Sequence, residues 1–368
     1  MLNIVIPMAG RGSRFAQAGF TVPKPLIPLG GKPMIQWVID NVRPVRPHRF
    51  IFLCLQEHLN QYPEVPQTLR ELCPGCEIIP VPGVTEGAAC TVLLARTFIN
   101  CEHPLMIANS DQFVDLPMHE YLAFQDETQA DGLIMTFWAD HPKWSYCRMT
   151  PDDTVSEVVE KKVISHEATV GIYNFRRGSD YVRAADDMVA RNLRVNNEFY
   201  VAPTYNFLIQ QGQTVRIKRT GKEYQGMYGL GTPDDFHFFE TTEAFIRSLP
   251  SSHPHRFPIP EARLSALTQR YVAFFHQKNL PGIEAMLAEN VRLIDPSADL
   301  VGKVQVLDYV AKLFSQHPDL SFNVENIFVD APASIVEFIL RLGGKTLHGT
   351  DVIQWEKGRI QCIRAYLC

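Results

Sequence analysis

Leu2-Asn-Ile-Val-Ile-Pro7 runs directly into Met8-Ala-Gly-Arg-Gly-Ser-Arg-Phe15, and this pair of segments decides the class of fold. The first is an apolar run of strand length. The second is a turn carrying two glycines and two arginines. A buried strand that ends in such a turn presents backbone N–H groups to a phosphate. Gly10 and Gly12 remove side chains where the chain must pass close to a ligand, and Arg11 and Arg14 supply positive charge there. Pro23-Lys-Pro-Leu26 and Gly31-Lys-Pro-Met-Ile35 follow, placing Lys24 between two prolines.

Working outward, apolar residues at Met34, Ile35, Val38, Ile39 and Val42 have helical spacing. Phe50–Leu55, Glu77–Val81, Leu105–Ala108 and Gly132–Trp138 read as buried strands, with a helix from Thr91 to Phe98 between the second and third. Strands alternating with helices predict an α/β fold around a doubly wound, mostly parallel, Rossmann-like sheet. Val22–Leu29 reads as an ordered loop without helix, Cys147–Glu160 as a β-hairpin turning at Pro151–Asp153, and Thr214–Lys218 as an edge strand. Asn109-Ser110-Asp111 closes the Leu105–Ala108 strand at its carboxyl end, where open α/β sheets bind ligands. A carboxylate there suits Mg²⁺, and Asp115 is a second candidate. The small-residue loop Gly83–Thr91 suits close contact with a base or phosphate, and Glu86 within it can accept from a base amino group.

The strand, the G-x-G-[ST]-R turn, P-K-P-L and K-P-[ML]-I together resemble the signature of the nucleotidyltransferases that join a nucleoside triphosphate to a sugar phosphate or similar phosphorylated acceptor. Glu160-Lys161-Lys162 resembles that family's E-K-P element, Ala168–Phe175 its V-G-I-Y-x-F strand, and Asn196–Pro203 its E-x-Y-[IV] segment. The resemblance implies that Met8, Ala9, Gly10, Arg11, Gly12, Ser13, Glu86, Gly87 and Ser110 bind the nucleotide. It implies that Arg14, Lys24, Asp111 and Lys161 are catalytic, that Asp111 holds Mg²⁺, and that Glu160, Gly171 and Glu198 bind the acceptor. It further implies pyrophosphate release, a place in making surface polysaccharide precursors, and a homodimer or higher oligomer. Three positions depart from the pattern. Lys162 replaces a proline, the glutamine-proline pair before the base loop is missing, and Gly229 stands where a second metal-binding Asp is usual. Glu86 favours C or G over U or T, so the reading leans to CTP as donor. A non-catalytic nucleotide-sugar sensor is the alternative, supported by Gly229 and opposed by Arg14, Lys24, Asp111 and Lys161.

The chain has 368 residues with a net charge of −5, 46% hydrophobic and 20% charged side chains. That composition belongs to globular proteins. From Arg263 onward basic and acidic residues balance at 11 each, so the surplus acid precedes them. No basic run suits a nucleic-acid backbone and no apolar run is long enough to span a bilayer, so neither nucleic acid nor membrane is an expected partner. The eight cysteines show no paired framework, as in a reducing, cytoplasmic setting; Cys73-Pro-Gly-Cys76 lacks the second pair that a zinc site needs. The proline-rich residues 247–262 read as a linker between a domain at 1–246 and another at 263–368. The last hundred residues begin with helices and end in four strand-like runs, an α+β pattern that resembles the NTF2-like (SnoaL-like) superfamily, strongest in Gly349–Trp355 and Gly358–Tyr366. That resemblance implies a curved sheet wrapped on helices to enclose a cone, which either positions or dimerises the protein or acts on the same product through Asp351, with His348 and Glu337 nearby.

Overall fold

The computed structural model describes residues 1–249, 261–356 and 358–367. The chain divides into two compact units, Met1–Pro233 and Asp234–Cys368.

In the first unit an 11-stranded sheet is built from β1 (Leu2–Met8), β2 (His48–Leu55), β3 (Glu77–Val81), β4 (Leu105–Ala108), β5 (Gln112–Val114), β6 (Gly132–Trp138), β7 (Ser145–Met149), β8 (Val155–Glu160), β9 (Glu167–Phe175), β10 (Val215–Glu223) and β11 (Gly226–Gly229). The order is β3-β2-β1-β4-β9-β6-β10-β11-β5, with the β7–β8 hairpin attached to β9. β3, β2, β1 and β4 are mutually parallel. β9 enters antiparallel to both β4 and β6, so the expected parallel sheet carries an antiparallel insertion at its middle. β1 sits between strands reached by crossovers in opposite directions, which makes the gap between β1 and β4 a topological switch point. Ile4, Val5 and Ile6 are fully buried, each worth roughly 1.5–3 kcal/mol relative to exposure. Asn3, buried in the same strand, keeps its side-chain oxygen satisfied by Arg49 at 2.9 Å.

The amphipathic helix runs from Met34 to Val42 as its spacing requires, and its buried residues pack under β1. Two expectations change. A short 3-10 turn, Lys24–Leu26, forms inside the proline-rich loop. The strand Val215–Glu223 is interior, because Gly226–Gly229 adds outside it.

The second unit opens with helix Pro233–Glu240, whose first turn carries Asp234 and Asp235, acids that complement the helix dipole. Asp235 also pairs with the buried Arg270 at 3.0 Å. Helix Glu243–Ser248 follows, so the segment expected to link the domains begins helical; residues 250–260 of that segment lie outside the described residues. Next come helices Glu261–His276, Leu280–Met286 and Lys303–Gln316. A six-stranded sheet has the order β13-β12-β17-β16-β15-β14, formed by β12 (Leu287–Asp295), β13 (Ala298–Val301), β14 (Ser321–Asp330), β15 (Ala333–Leu342), β16 (Lys345–Glu356) and β17 (Arg359–Leu367). β14 to β17 are the expected antiparallel meander. Ser334 Oγ joins helix to sheet, 2.8 Å from Thr268 Oγ1 and 2.9 Å from Trp355 Nε1, all of them buried.

Candidate functional site

The register Asn3↔Leu105 to Val5↔Ile107 carries β1 and β4 forward together. Their carboxyl ends therefore release Met8–Ser13 and Asn109–Asp111 side by side at the switch point. Met8 is buried in the core while Gly10, Arg11, Ser13 and Arg14 are exposed. Gly12 adopts φ +64°, and a Cβ on it would stand 3.3 Å from the Cβ of Lys24. The turn can thus close over Lys24 only with a glycine there.

Lys24 Nζ reaches Asp111 Oδ2 at 2.6 Å. Three backbone features hold this carboxylate. Leu230 donates its N–H to the Asp111 carbonyl at 2.7 Å, Gln112 pairs with Gly229 in the β5–β11 ladder, and a Cβ on Gly231 would lie 3.0 Å from Asp111 Oδ2. Gly-Leu-Gly therefore closes on Asp111 from the far side and leaves it uncrowded. Asp115 lies exposed beyond β5.

In the second loop, Gly87 has φ +132° and its bare α-carbon faces the Phe199 backbone, where a Cβ would come within 2.4 Å of the carbonyl oxygen. Phe199 donates its N–H to the Glu86 carbonyl at 2.8 Å, and its own carbonyl oxygen accepts from Ala89 N–H at 3.0 Å. Gly87 is thus spent on a backbone contact, a role that loop composition alone does not reveal. The Glu86 carboxylate is exposed and pairs with Arg194 at 2.6 Å.

At the end of β8, Glu160 is buried and accepts a hydrogen bond from Ser145 Oγ. Burial pushes its carboxyl above the usual range, against the opposing pull of Ser145 and Lys161. Lys161 stands at φ +57°; its ammonium lies 3.4 Å from Glu160 Oε1, donates to the Lys143 carbonyl at 2.5 Å, and sits 5.5 Å from the centre of the Tyr200 ring. Glu198, exposed, bonds to Tyr200 and adds to the negative field on Glu160. On β9 the hydroxyls of Thr169 and Tyr173 meet at 2.9 Å across Gly171, and Tyr173 faces Glu160. Gly171 has φ +95° and accepts the Asn109 N–H at 3.0 Å on its carbonyl.

The expected residues therefore gather into three groups: Met8–Arg14 with Lys24, Asp111 and Ser110; Glu86 with Gly87; and Glu160 with Lys161 and Glu198. Gly171 joins the third group to the first.

Residues 4–199, just over half of the chain, match the nucleotidyl transferase family, and residues 268–363 match the SnoaL-like domain. The chain belongs to the nucleotidyl transferase family. The bifunctional protein GlmU of Thermotoga maritima is 24% identical over 226 residues, 60% of this chain and 46% of that protein. The mannose-1-phosphate guanyltransferase of Schizosaccharomyces pombe is 25% identical over 182 residues, 47% of this chain and 49% of that protein. The chain spans about half the length of the curated relatives it matches. Among solved structures, the nucleoside-diphosphate-sugar pyrophosphorylase of Vibrio cholerae superposes with a TM-score of 0.56 at 26% identity, covering 65% of this chain and 100% of that one.

Asp111 has the chemistry to hold a Mg²⁺ ion. The ion keeps several waters and takes one or two carboxylates plus substrate phosphates, and Gly231 leaves the space beside Oδ2 open. No three His, Cys, Asp or Glu side chains cluster as metal ligands among the described residues. Cys73 and Cys76 are free thiols, and burial pushes the Cys73 thiol up to about 11, so that pair is packing. Sequence reasoning missed Ser145, Arg194, Tyr200 and Gln112. Only Gln112 had a local signal, as the fourth consecutive polar residue after a buried strand.

In the second unit, Asp351 is buried and opposite Val336. His348, three positions away on the same strand, is exposed, and Glu337 pairs with Thr350 on the His348 face, where Asn326 binds it at 2.8 Å. The period-two alternation of a strand separates them, so these three residues form no common site.

Proposed function

We propose that the protein transfers a nucleoside monophosphate from a nucleoside triphosphate to a sugar 1-phosphate or a similar small phosphorylated acceptor, releasing pyrophosphate. The observation that carries this is the Lys24–Asp111 pair beside the glycine-rich turn at the switch point. An acceptor phosphate oxygen bonds to the α-phosphorus while the bond from that phosphorus to the bridging oxygen of pyrophosphate breaks. No covalent enzyme intermediate forms. The protein's task is to align two anions and neutralise the charge gathered at the α-phosphate.

In this reading the amides of Ala9–Ser13, with Arg11 and Arg14, hold the β- and γ-phosphates. Asp111 would hold a Mg²⁺ ion, which would supply charge neutralisation to the triphosphate. Lys24, freed from Asp111, turns its ammonium to the α-phosphate. Lys161, now on the Lys143 carbonyl and Glu160, moves to the acceptor phosphate, and Glu160 accepts from an acceptor hydroxyl. CTP is the favoured donor through Glu86.

Pyrophosphate release is the test, crossing CTP, GTP, UTP, ATP and dTTP with sugar 1-phosphates and non-sugar phosphates in Mg²⁺. One donor–acceptor pair should give release that Asp111→Asn abolishes. Nucleotide binding with no release across the whole panel would sink the reading.

A further inference from the structure

Among the described residues β8 pairs with β7 and with no other strand, so its second edge is open. One rung of that edge is taken by a side chain. Asn206 accepts the Val158 N–H and donates to the Val158 carbonyl, both at 2.8 Å. Beside this rung a cavity of about 660 Å³ lies between β8, the end of helix Gly178–Ala190 and helix Tyr205–Gln210. That is the size of a small-molecule site.

The cavity floor is apolar, made by the buried Val158, Met188 and Phe207, and Leu193 at its rim is 54% exposed. Three arginines line it. Arg148 is paired with Glu157 at 3.0 Å and Arg194 with Glu86 at 2.6 Å. Arg191 has no carboxylate partner among the described residues. Its guanidinium lies over the Phe207 ring, 5.3 Å from the ring centre, which leaves the N–H donors in the plane of the group for a ligand. An uncharged ligand would leave Arg191 unpaired, and a bare inorganic anion would leave the apolar floor uncovered.

We propose that this cavity binds a small amphiphilic anion, a carboxylate or phosphate carried on an apolar body, and that Arg194 links it to the base loop. The Arg191 fork takes two oxygens of the head, and the body covers Met188, Leu193 and Phe207. Arg194 lines the same cavity while its guanidinium pairs with Glu86, so an anionic head competes with Glu86 for it. Ligand binding therefore loosens the Glu86 contact, and loosening that contact favours the ligand by the same factor. What this does to donor choice rests on the transferase reading; the site and its coupling to Glu86 do not.

The test titrates the full-length protein with 8-anilinonaphthalene-1-sulfonate, an aromatic anion that reports apolar surface by fluorescence. Arg191→Gln should weaken a saturable part of the signal by about tenfold or more, the scale of losing a charged hydrogen-bond partner. Octanoate and octyl phosphate, in separate titrations, should displace that part, and octanol should not. Leu193→Ser should weaken it several-fold. Arg191 and Leu193 are exposed, so thermal unfolding of both variants should match wild type. Glu86→Gln releases Arg194 and should tighten the same part by about two- to fivefold, the scale of an exposed ion pair. A signal identical in wild type and Arg191→Gln, or displacement by octanol equal to that by octanoate, would overturn the site. Unchanged affinity in Glu86→Gln would overturn its link to the base loop. These binding results without pyrophosphate release from any donor–acceptor pair would instead overturn the transferase reading and leave the site standing.

Discussion

Lys24 Nζ and Asp111 Oδ2 lie 2.6 Å apart across 87 positions of sequence. Their side chains are 19% and 31% exposed, and pairs so close to solvent contribute only about 0–1 kcal/mol. The contact is therefore a poor explanation of stability and a good one of charge placement. A cation and an anion stand together beside the glycine-rich turn, each neutralising the other.

Asp111→Asn should lower pyrophosphate release by about 10²–10³-fold, the scale of losing one electrostatic group in a catalytic site. Lys24→Met should cost a similar factor. Because the two act as a unit, the double variant should fall little further than the worse single one. Thermal unfolding of all three should stay within about 1 kcal/mol of wild type. A multiplicative double variant in steady-state kinetics would show independent roles.

Much of the fold was legible because its signals are local. The 3.6 period of Met34–Val42 and the apolar runs of β1 to β4 each depend on neighbours in sequence. The loop at Met8–Arg14 and the strand end at Asp111 were legible for the same reason. What stayed hidden depends on distant partners. Gly87 looked like a ligand contact until the Phe199 backbone filled it. Glu86 looked free until Arg194 reached it. Thr214–Lys218 looked like an edge because Gly226–Gly229, which covers it, is too short and glycine-rich to announce a strand. Gln112 was passed over because a fourth polar residue after a buried strand is a weak signal, and its orphaned amide oxygen is visible only in three dimensions.

Gly171→Ala should be severe on two counts. The φ of +95° is strained for any L side chain, typically by about 1–3 kcal/mol. The added methyl would also meet Asn109 Nδ2 at 2.2 Å. Chemical denaturation should report a loss of at least about 2 kcal/mol, and at temperatures where the variant is folded its acceptor KM should rise while donor KM holds. A variant with wild-type stability would mean that β9 relaxes and the glycine is dispensable.

Arg194→Ala tests the base loop. The Arg194–Glu86 pair is exposed, so removal should change stability by about 0–1 kcal/mol. Its effect should appear in donor choice, since Glu86 is then unpaired and available to a base amino group. The CTP-to-UTP ratio of kcat/KM should rise several-fold in Arg194→Ala and fall in Glu86→Gln. If neither variant moves the ratio, Glu86 does not read the base.

Asp351 makes a prediction about pH. It is buried, its Oδ1 has no hydrogen-bond partner, and burial, with the Asp295 carboxylate adding to it, raises its pKa from 3.8 to about 7. The folded state therefore binds a proton that the unfolded state has already released, between about pH 4 and pH 7. Stability is full below that window and declines as pH rises through it, levelling off above 7. Asp351→Asn keeps the shape and removes the charge. Its thermal unfolding should match wild type near pH 4 and exceed it at pH 8, by roughly 2–4 kcal/mol if the whole shift is realised. A variant less stable than wild type at pH 8 would show that the ionised carboxylate is held by a favourable partner after all.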